Sequence, residues 1–211
     1  DSIFLYWGKS PISAGDPASV LQMAIDSGCL CVISNKPCAH PHTLLLPDTT
    51  DALEGTNRIR EAYIKASHYI RSLHKAKVIT VTGSVGKTST KEMLARLVAW
   101  KNPLVTEKNF NNEIGVPLTV TKIDLRQNQC AIIEAGVAAP GQMRELAEII
   151  SPDIAIITNV GLSHLEKFGE IANVAKEKAI LPANAANGGW CLMHSNLLSW
   201  KSFDELKCKK A

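Results

Sequence analysis

From Lys75 onward the chain repeats one rhythm: a short continuous apolar run, a polar loop containing glycine, then apolar positions at helical spacing. The runs Val78–Thr82, Cys130–Glu134, Ile154–Asn159 and Trp190–His194 read as strands. The first leads into a helix through Trp100. The second leads through Pro140 and Gly141 into a helix to Ile150, and the third into a helix from about Ile171 to Leu181. This alternation predicts an α/β fold, a parallel sheet with helices on both faces, in which ligands gather beyond the carboxyl ends of the strands.

The residues before Lys75 follow a looser pattern. Ile3–Trp7 reads as a strand, Pro11–Asp16 as a loop, and Ala18–Ser27 as a helix ended by Gly28. Cys29–Ser34 reads as a buried strand and Thr43–Leu46 as another, stopped by Pro47. Asp51 to about His74 predicts a long helix: Ile59, Ala62, Ala66, Ile70 and Leu73 share one face, and Asp51 suits an N-cap. The change of rhythm places a domain boundary near Lys75, giving a small α/β front domain over 1–74 and a larger domain over 75–211.

Composition adds limits. The 211 residues are 45% hydrophobic and 20% charged, as in an ordinary globular protein, and the net charge of +3 is too small to argue for nucleic acid. No apolar run is long enough for a membrane span, and no leader precedes the first strand, so a cytoplasmic protein is expected. The six cysteines are scattered and read as reduced. Cys38, His40 and His42 lie close together, but without a second ligand pair they read as loop rather than metal site. A start at Asp1 and a polar end point to a piece of a longer chain.

Candidate chemistry concentrates in Val78–Thr88. A buried strand runs into Gly83-Ser84-Val85-Gly86-Lys87-Thr88-Ser89, and this loop opens a helix. Glycines let backbone N–H groups turn inward on an anion, and the helix N-terminus adds partial positive charge. Lys87 can reach terminal phosphates, and the Thr88 hydroxyl can ligate Mg²⁺. Val81 stands where the standard pattern has its first glycine, so the loop is a shortened variant.

Thr82–Leu94 resembles the ATP loop of the Mur ligase family, and Thr90-Lys91-Glu92 is similar to its MurF branch. Asn109–Leu118, Ile133–Gly136 and Thr158–Gly169 resemble further signatures of that branch, in the family's order. Ile3–Leu5 and Ala24–Cys29 are weaker likenesses to a UDP-substrate-binding domain. The resemblance implies an ATP- and Mg²⁺-dependent ligase of peptidoglycan precursor synthesis. It would join D-alanyl-D-alanine to UDP-N-acetylmuramoyl tripeptide through an acyl phosphate, and would act as a monomer. The family's C-terminal domain has no counterpart in these residues, so the 211 residues alone are expected to bind nucleotide without completing the ligation.

The same reading distributes roles. Glu134, an acid directly after Ala-Ile-Ile, is expected as a magnesium ligand rather than a solvated strand-end charge. The resemblance implies a metal and catalytic role for His164. Asn111 and Asn112 are expected to orient phosphate or metal-bound water, with turn formation as the alternative. Ile171, Val174, Lys178 and Leu181 fall on one helical stripe, and Lys176 points away. A buried Lys178 should have a depressed pKa. The resemblance makes it the site of a carbamate able to approach magnesium, and a snorkelling surface lysine is the alternative. Competing functions are a sister ligase of the folylpolyglutamate or another Mur type, an ordinary P-loop NTPase, and a non-catalytic nucleotide-binding remnant.

Overall fold

The structure, a computed structural model, describes residues 3–6, 22, 26, 31–34, 43–45, 52–75, 77–124, 126–185 and 188–211. It divides into two compact units, Asp1–Lys65 and Ala66–Ala211. The division falls inside the long helix α1 (Ala52–Leu73), some way before Lys75.

In the first unit, β1 (Ile3–Tyr6), β2 (Cys31–Ser34) and β3 (Thr43–Leu45) form a parallel sheet in that order. Trp7, Cys29, Leu30 and Leu46, the ends of the strands expected from the sequence, lie outside the described residues. Gln22 and Asp26, inside the span expected as a helix, are both helical and joined by a 2.7 Å side-chain hydrogen bond. The loop expected at Pro11–Asp16, the Cys38, His40 and His42 group and the Asp51 cap lie outside the described residues.

The second unit holds a fully parallel six-stranded sheet in the order β5-β6-β4-β7-β8-β9. The strands are β4 (Lys77–Thr82), β5 (Leu104–Val105), β6 (Cys130–Glu134), β7 (Ile154–Ile157), β8 (Trp190–Met193) and β9 (Lys209–Lys210). Every residue of β6 is buried, which explains its apolar run Cys130–Ile133: a parallel strand covered on both faces has no polar side, and the one charge, Glu134, stands at its end. Between strands run α2 (Lys87–Leu97), α3 (Gly115–Thr121), α4 (Gln142–Ile150), α5 (Leu165–Phe168) and α6 (Ile171–Ala183), with α7 (Lys201–Asp204) before β9. The sequence runs did not predict β5, α3, α5, α7 or β9, which are too short for a periodicity. The helix expected through Trp100 stops at Leu97 and continues as a 3₁₀ turn over Ala99–Lys101.

The topology decides where a ligand can sit. The connection from β4 to β5 crosses β6 in one direction, while those from β5 to β6, β6 to β7, and β7 to β8 all run in the other. With right-handed crossovers, α2 covers one face and α3, α4 and α6 cover the opposite face. The neighbouring strands β4 and β6 therefore send their following loops apart, and a crevice opens beyond their carboxyl ends. The opposite end of the sheet is tied by Arg71, whose guanidinium donates to the carbonyls of Ile150 (2.6 Å) and Ser151 (2.7 Å) at the end of α4. Part of the core lies between α6 and strands β7 and β8, where Ile157, Ala175, Ala179, Cys191, Leu197 and Phe203 pack together. Among the described residues no helix is long and apolar enough to cross a membrane, and Cys130, Cys191 and Cys208 carry free thiols.

Candidate functional site

The loop between β4 and α2 lies at that crevice. Gly83 has φ 151° and Gly86 φ 82°, backbone conformations that favour glycine. At Gly83 space is a second constraint, since a Cβ would stand 1.9 Å from Thr158 Oγ1. Gly86 is the N-cap of α2 and no side chain caps the helix, so the amides of its first turn are left for an anion. Lys87 Nζ donates back to the carbonyls of Gly83 (2.9 Å) and Ser84 (3.4 Å). Ser89, in the same first turn, is exposed.

The chain after β7 braces this loop. Asn159 Oδ1 accepts from the amides of Ser84 and Val85, both at 3.0 Å. Thr158 Oγ1 donates to Val85 O (2.6 Å), and Ser84 Oγ meets the Gly161 amide and Ser163 Oγ, both at 2.9 Å. Thr158, Asn159 and Ser163 were missed as individual residues in the sequence, although the motif that contains them was not.

Glu134 ends β6 and is 1% exposed, so it is not a solvated strand-end charge. Its carboxylate accepts from Thr88 Oγ1 at 3.0 Å and from Asn111 Nδ2 at 2.7 Å. The structure thus brings Thr88, Glu134 and Asn111 together at the loop. Asn112 does something else: its Oδ1 accepts from the amides of Ile114 (3.2 Å) and Gly115 (2.9 Å), the turn-forming alternative, and it opens α3.

Among the described residues no group of three or more His, Cys, Asp or Glu is assembled. The donors at hand are one carboxylate and a hydroxyl, both hard oxygens. They fit Mg²⁺, which keeps several waters and takes one or two carboxylates together with substrate phosphates. His164 has φ 54° and is the N-cap of α5; its Nδ1 lies 3.7 Å from Glu166 Oε1 and the side chain is about half exposed. An imidazole nitrogen is a softer donor than magnesium favours, so this residue adds little to the fit.

Lys178 is 3% exposed, while Lys176 is exposed, as the stripe on α6 predicts. Burial lowers the Lys178 ammonium to about 8, the positive charge of Lys87 pushes the same way, and Glu177 opposes both. Glu177 is buried too, a feature the stripe did not predict. Its carboxylate accepts from the amides of Gly141 (2.9 Å) and Met143 (2.7 Å) at the start of α4. A separate cavity of about 550 Å³ lies on the far side of α6, beside Lys176, Ile180, Leu206 and Cys208, and contains none of these motif residues.

Residues 81–206 match the Mur ligase middle domain. The chain belongs to the Mur ligase family. Within the family it is 32% identical over 148 residues, 70% of its length, to the UDP-N-acetylmuramoyl-tripeptide–D-alanyl-D-alanine ligase of Escherichia coli. It is 32% identical over 167 residues to the enzyme of the same name from Bacillus subtilis. It spans about a third of the length of those relatives, 32% and 34%. A crystal structure of MurF from Acinetobacter baumannii shares the fold with a TM-score of 0.78 and 25% identity, over 99% of this chain and 44% of that one. The parallel six-stranded sheet of this Mur ligase chain is therefore the family's central fold.

Proposed function

We propose that this chain is the nucleotide-binding portion of a MurF-type ligase, which joins D-alanyl-D-alanine to UDP-N-acetylmuramoyl tripeptide. The observation that carries the reading is the convergence of Thr88 and Glu134 beside an uncapped helix N-terminus. The γ-phosphoryl group of ATP would pass to a substrate carboxylate oxygen, leaving ADP and an acyl phosphate. The incoming amine would then attack the acyl carbon, expel phosphate and form the amide. Loop amides and Lys87 hold the phosphates, with Lys87 giving up its bonds to Gly83 and Ser84. Glu134 and Thr88 would hold Mg²⁺, which when bound neutralises charge on the phosphates. Asn111 orients the Glu134 carboxylate.

Lys178 has a distinct part in this reading. With its ammonium lowered to about 8, a useful fraction of the amine is neutral near physiological pH. The neutral nitrogen can attack carbon dioxide, lose one proton and become a carbamate, an anion suited to a site of phosphates and magnesium. His164 remains a candidate on the family likeness alone.

The test is a graft. Residues 81–206 replace the corresponding segment of the Escherichia coli relative, and dipeptide-dependent phosphate release is measured with the tripeptide substrate. Turnover that is lost on Lys87→Ala supports the proposal. A folded graft that binds ATP but turns over neither this substrate nor its shorter precursors rejects it.

A further inference from the structure

We propose that Lys91 is a positioning residue for Glu134, acting through Thr106; this rests on the reading of Glu134 as the magnesium-holding carboxylate. Lys91 is 1% exposed, among the largest fully buried side chains of the described residues. Its ammonium donates to the carbonyl of Thr106 at 2.7 Å and meets Glu92, 57% exposed, at 3.0 Å. Burying an ammonium costs free energy that a methionine or leucine in the same place would not. A plain helix-to-sheet contact needs only the hydrocarbon. The charged end adds a directed donor, and the Thr106 carbonyl receives it.

Thr106 is where this donor matters. It follows β5, a two-residue edge strand whose ladder with β6 ends at the pair Val105 and Ile132. Glu134 lies two residues beyond that pair, past the end of the ladder. Its amide is satisfied instead by Thr106 Oγ1 at 3.0 Å, while the Thr106 amide donates to Ile132 O at 3.0 Å. A short edge strand alone would hold this hydroxyl loosely. Lys91 clamps the same residue from α2.

Lys91 and Thr88 stand three apart on one helix, so they share a face. Thr88 touches the Glu134 carboxylate, and Lys91 fixes the Glu134 backbone through Thr106. One turn of α2 thereby sets both ends of the residue. Outer groups that orient a metal-holding carboxylate commonly change metal affinity by roughly 10–100-fold when removed.

The experiment measures ATP binding to the 211-residue chain by calorimetry as a function of Mg²⁺, ADP binding in excess chelator, and the thermal midpoint. The variants are Lys91→Met, Lys91→Arg, Thr106→Val and Glu134→Gln. Lys91→Met and Thr106→Val are expected to raise the Mg²⁺ concentration for half-maximal ATP binding about tenfold and to leave chelator-insensitive ADP binding unchanged. Lys91→Arg, which keeps a charged donor, should restore most of the loss. Thr106→Val decides the matter if Lys91→Met does not fold. Wild-type Mg²⁺ dependence in Thr106→Val, alongside a shifted Glu134→Gln, overturns the positioning role while leaving Glu134 as the metal group. Equal losses with and without Mg²⁺ in both Lys91→Met and Thr106→Val show a structural role only and also overturn it. An unshifted Glu134→Gln removes the metal reading itself, and the proposal falls with it.

Discussion

The hydroxyl of Thr88, in the first turn of α2, donates to the buried carboxylate of Glu134 at the end of β6 across 3.0 Å. The two residues are 46 positions apart in the chain, and the switch in strand order makes them neighbours. Thr88→Val removes both this bond and an oxygen donor. It is expected to weaken Mg²⁺-dependent ATP binding by about 1–3 kcal/mol, the cost of stranding a buried acceptor. Thr88→Ser should retain most of the affinity. Calorimetric titration of both variants checks this, and equal affinity in Thr88→Val and the parent would break the link between hydroxyl and metal.

Lys87→Ala removes the charge proposed to face the phosphates. ATP binding is expected to weaken by about 1.5–3 kcal/mol, the scale of charge-assisted hydrogen bonds. The same titration reads it, and an unchanged dissociation constant would remove the loop from the nucleotide site.

Gly83→Ala tests the close approach of the loop to the chain after β7. The new methyl group would stand 1.9 Å from Thr158 Oγ1 in a backbone conformation with φ 151°. A stability loss of about 2–4 kcal/mol is expected, as for other strained or overpacked sites. In a Thr158→Ala background the clash is partly relieved, so the two changes should be less than additive in chemical denaturation. Strict additivity would place the conflict elsewhere.

Lys178 yields two linked outcomes. Labelled bicarbonate should give a carbamate carbonyl signal in the magnetic resonance spectrum that Lys178→Ala abolishes and Lys176→Ala keeps. In carbonate-free buffer the pH dependence follows from the lowered pKa. Below about pH 8 the folded and unfolded chains both hold the proton, and the buried ammonium opposes folding. Between about 8 and 10.5 the unfolded chain holds more of the proton, so stability rises with pH across that window. Lys178→Met should therefore be more stable than the parent near pH 7 and lose that advantage above pH 8, as read from urea midpoints. A constant difference would show that Lys178 titrates normally.

Much of the second unit was legible because β6 is buried on both faces, because β7 is wholly apolar with one face buried and the other half-buried, and because Lys178 shares a stripe with Val174 and Leu181. Glu134 was legible because an acid directly after Ala131-Ile132-Ile133 has little room to reach water. The polar braces were not legible. Asn159 reaches Ser84 and Val85 across more than seventy positions, and nothing local distinguishes it from a loop asparagine. Asn111 and Asn112 are identical letters with different partners, and only the turn into α3 separates them. Glu177 escaped because a stripe drawn through Lys178 leaves its neighbour to solvent, whereas two helix faces of α6 are covered.

Consecutive buried charges on α6 give that helix a rotational key. Successive side chains point roughly 100° apart. With the Glu177 carboxylate seated on the amides of Gly141 and Met143, the direction of Lys178 is no longer a free variable. A slip of one residue one way would seat an ammonium on those donors; the other way would leave them facing the exposed side chain of Lys176. Each error sets positive charge against positive, so α6 has one permitted setting, as a toothed wheel does. The direction of Lys178 is thus set by a contact on another side of the helix, between Glu177 and the start of α4.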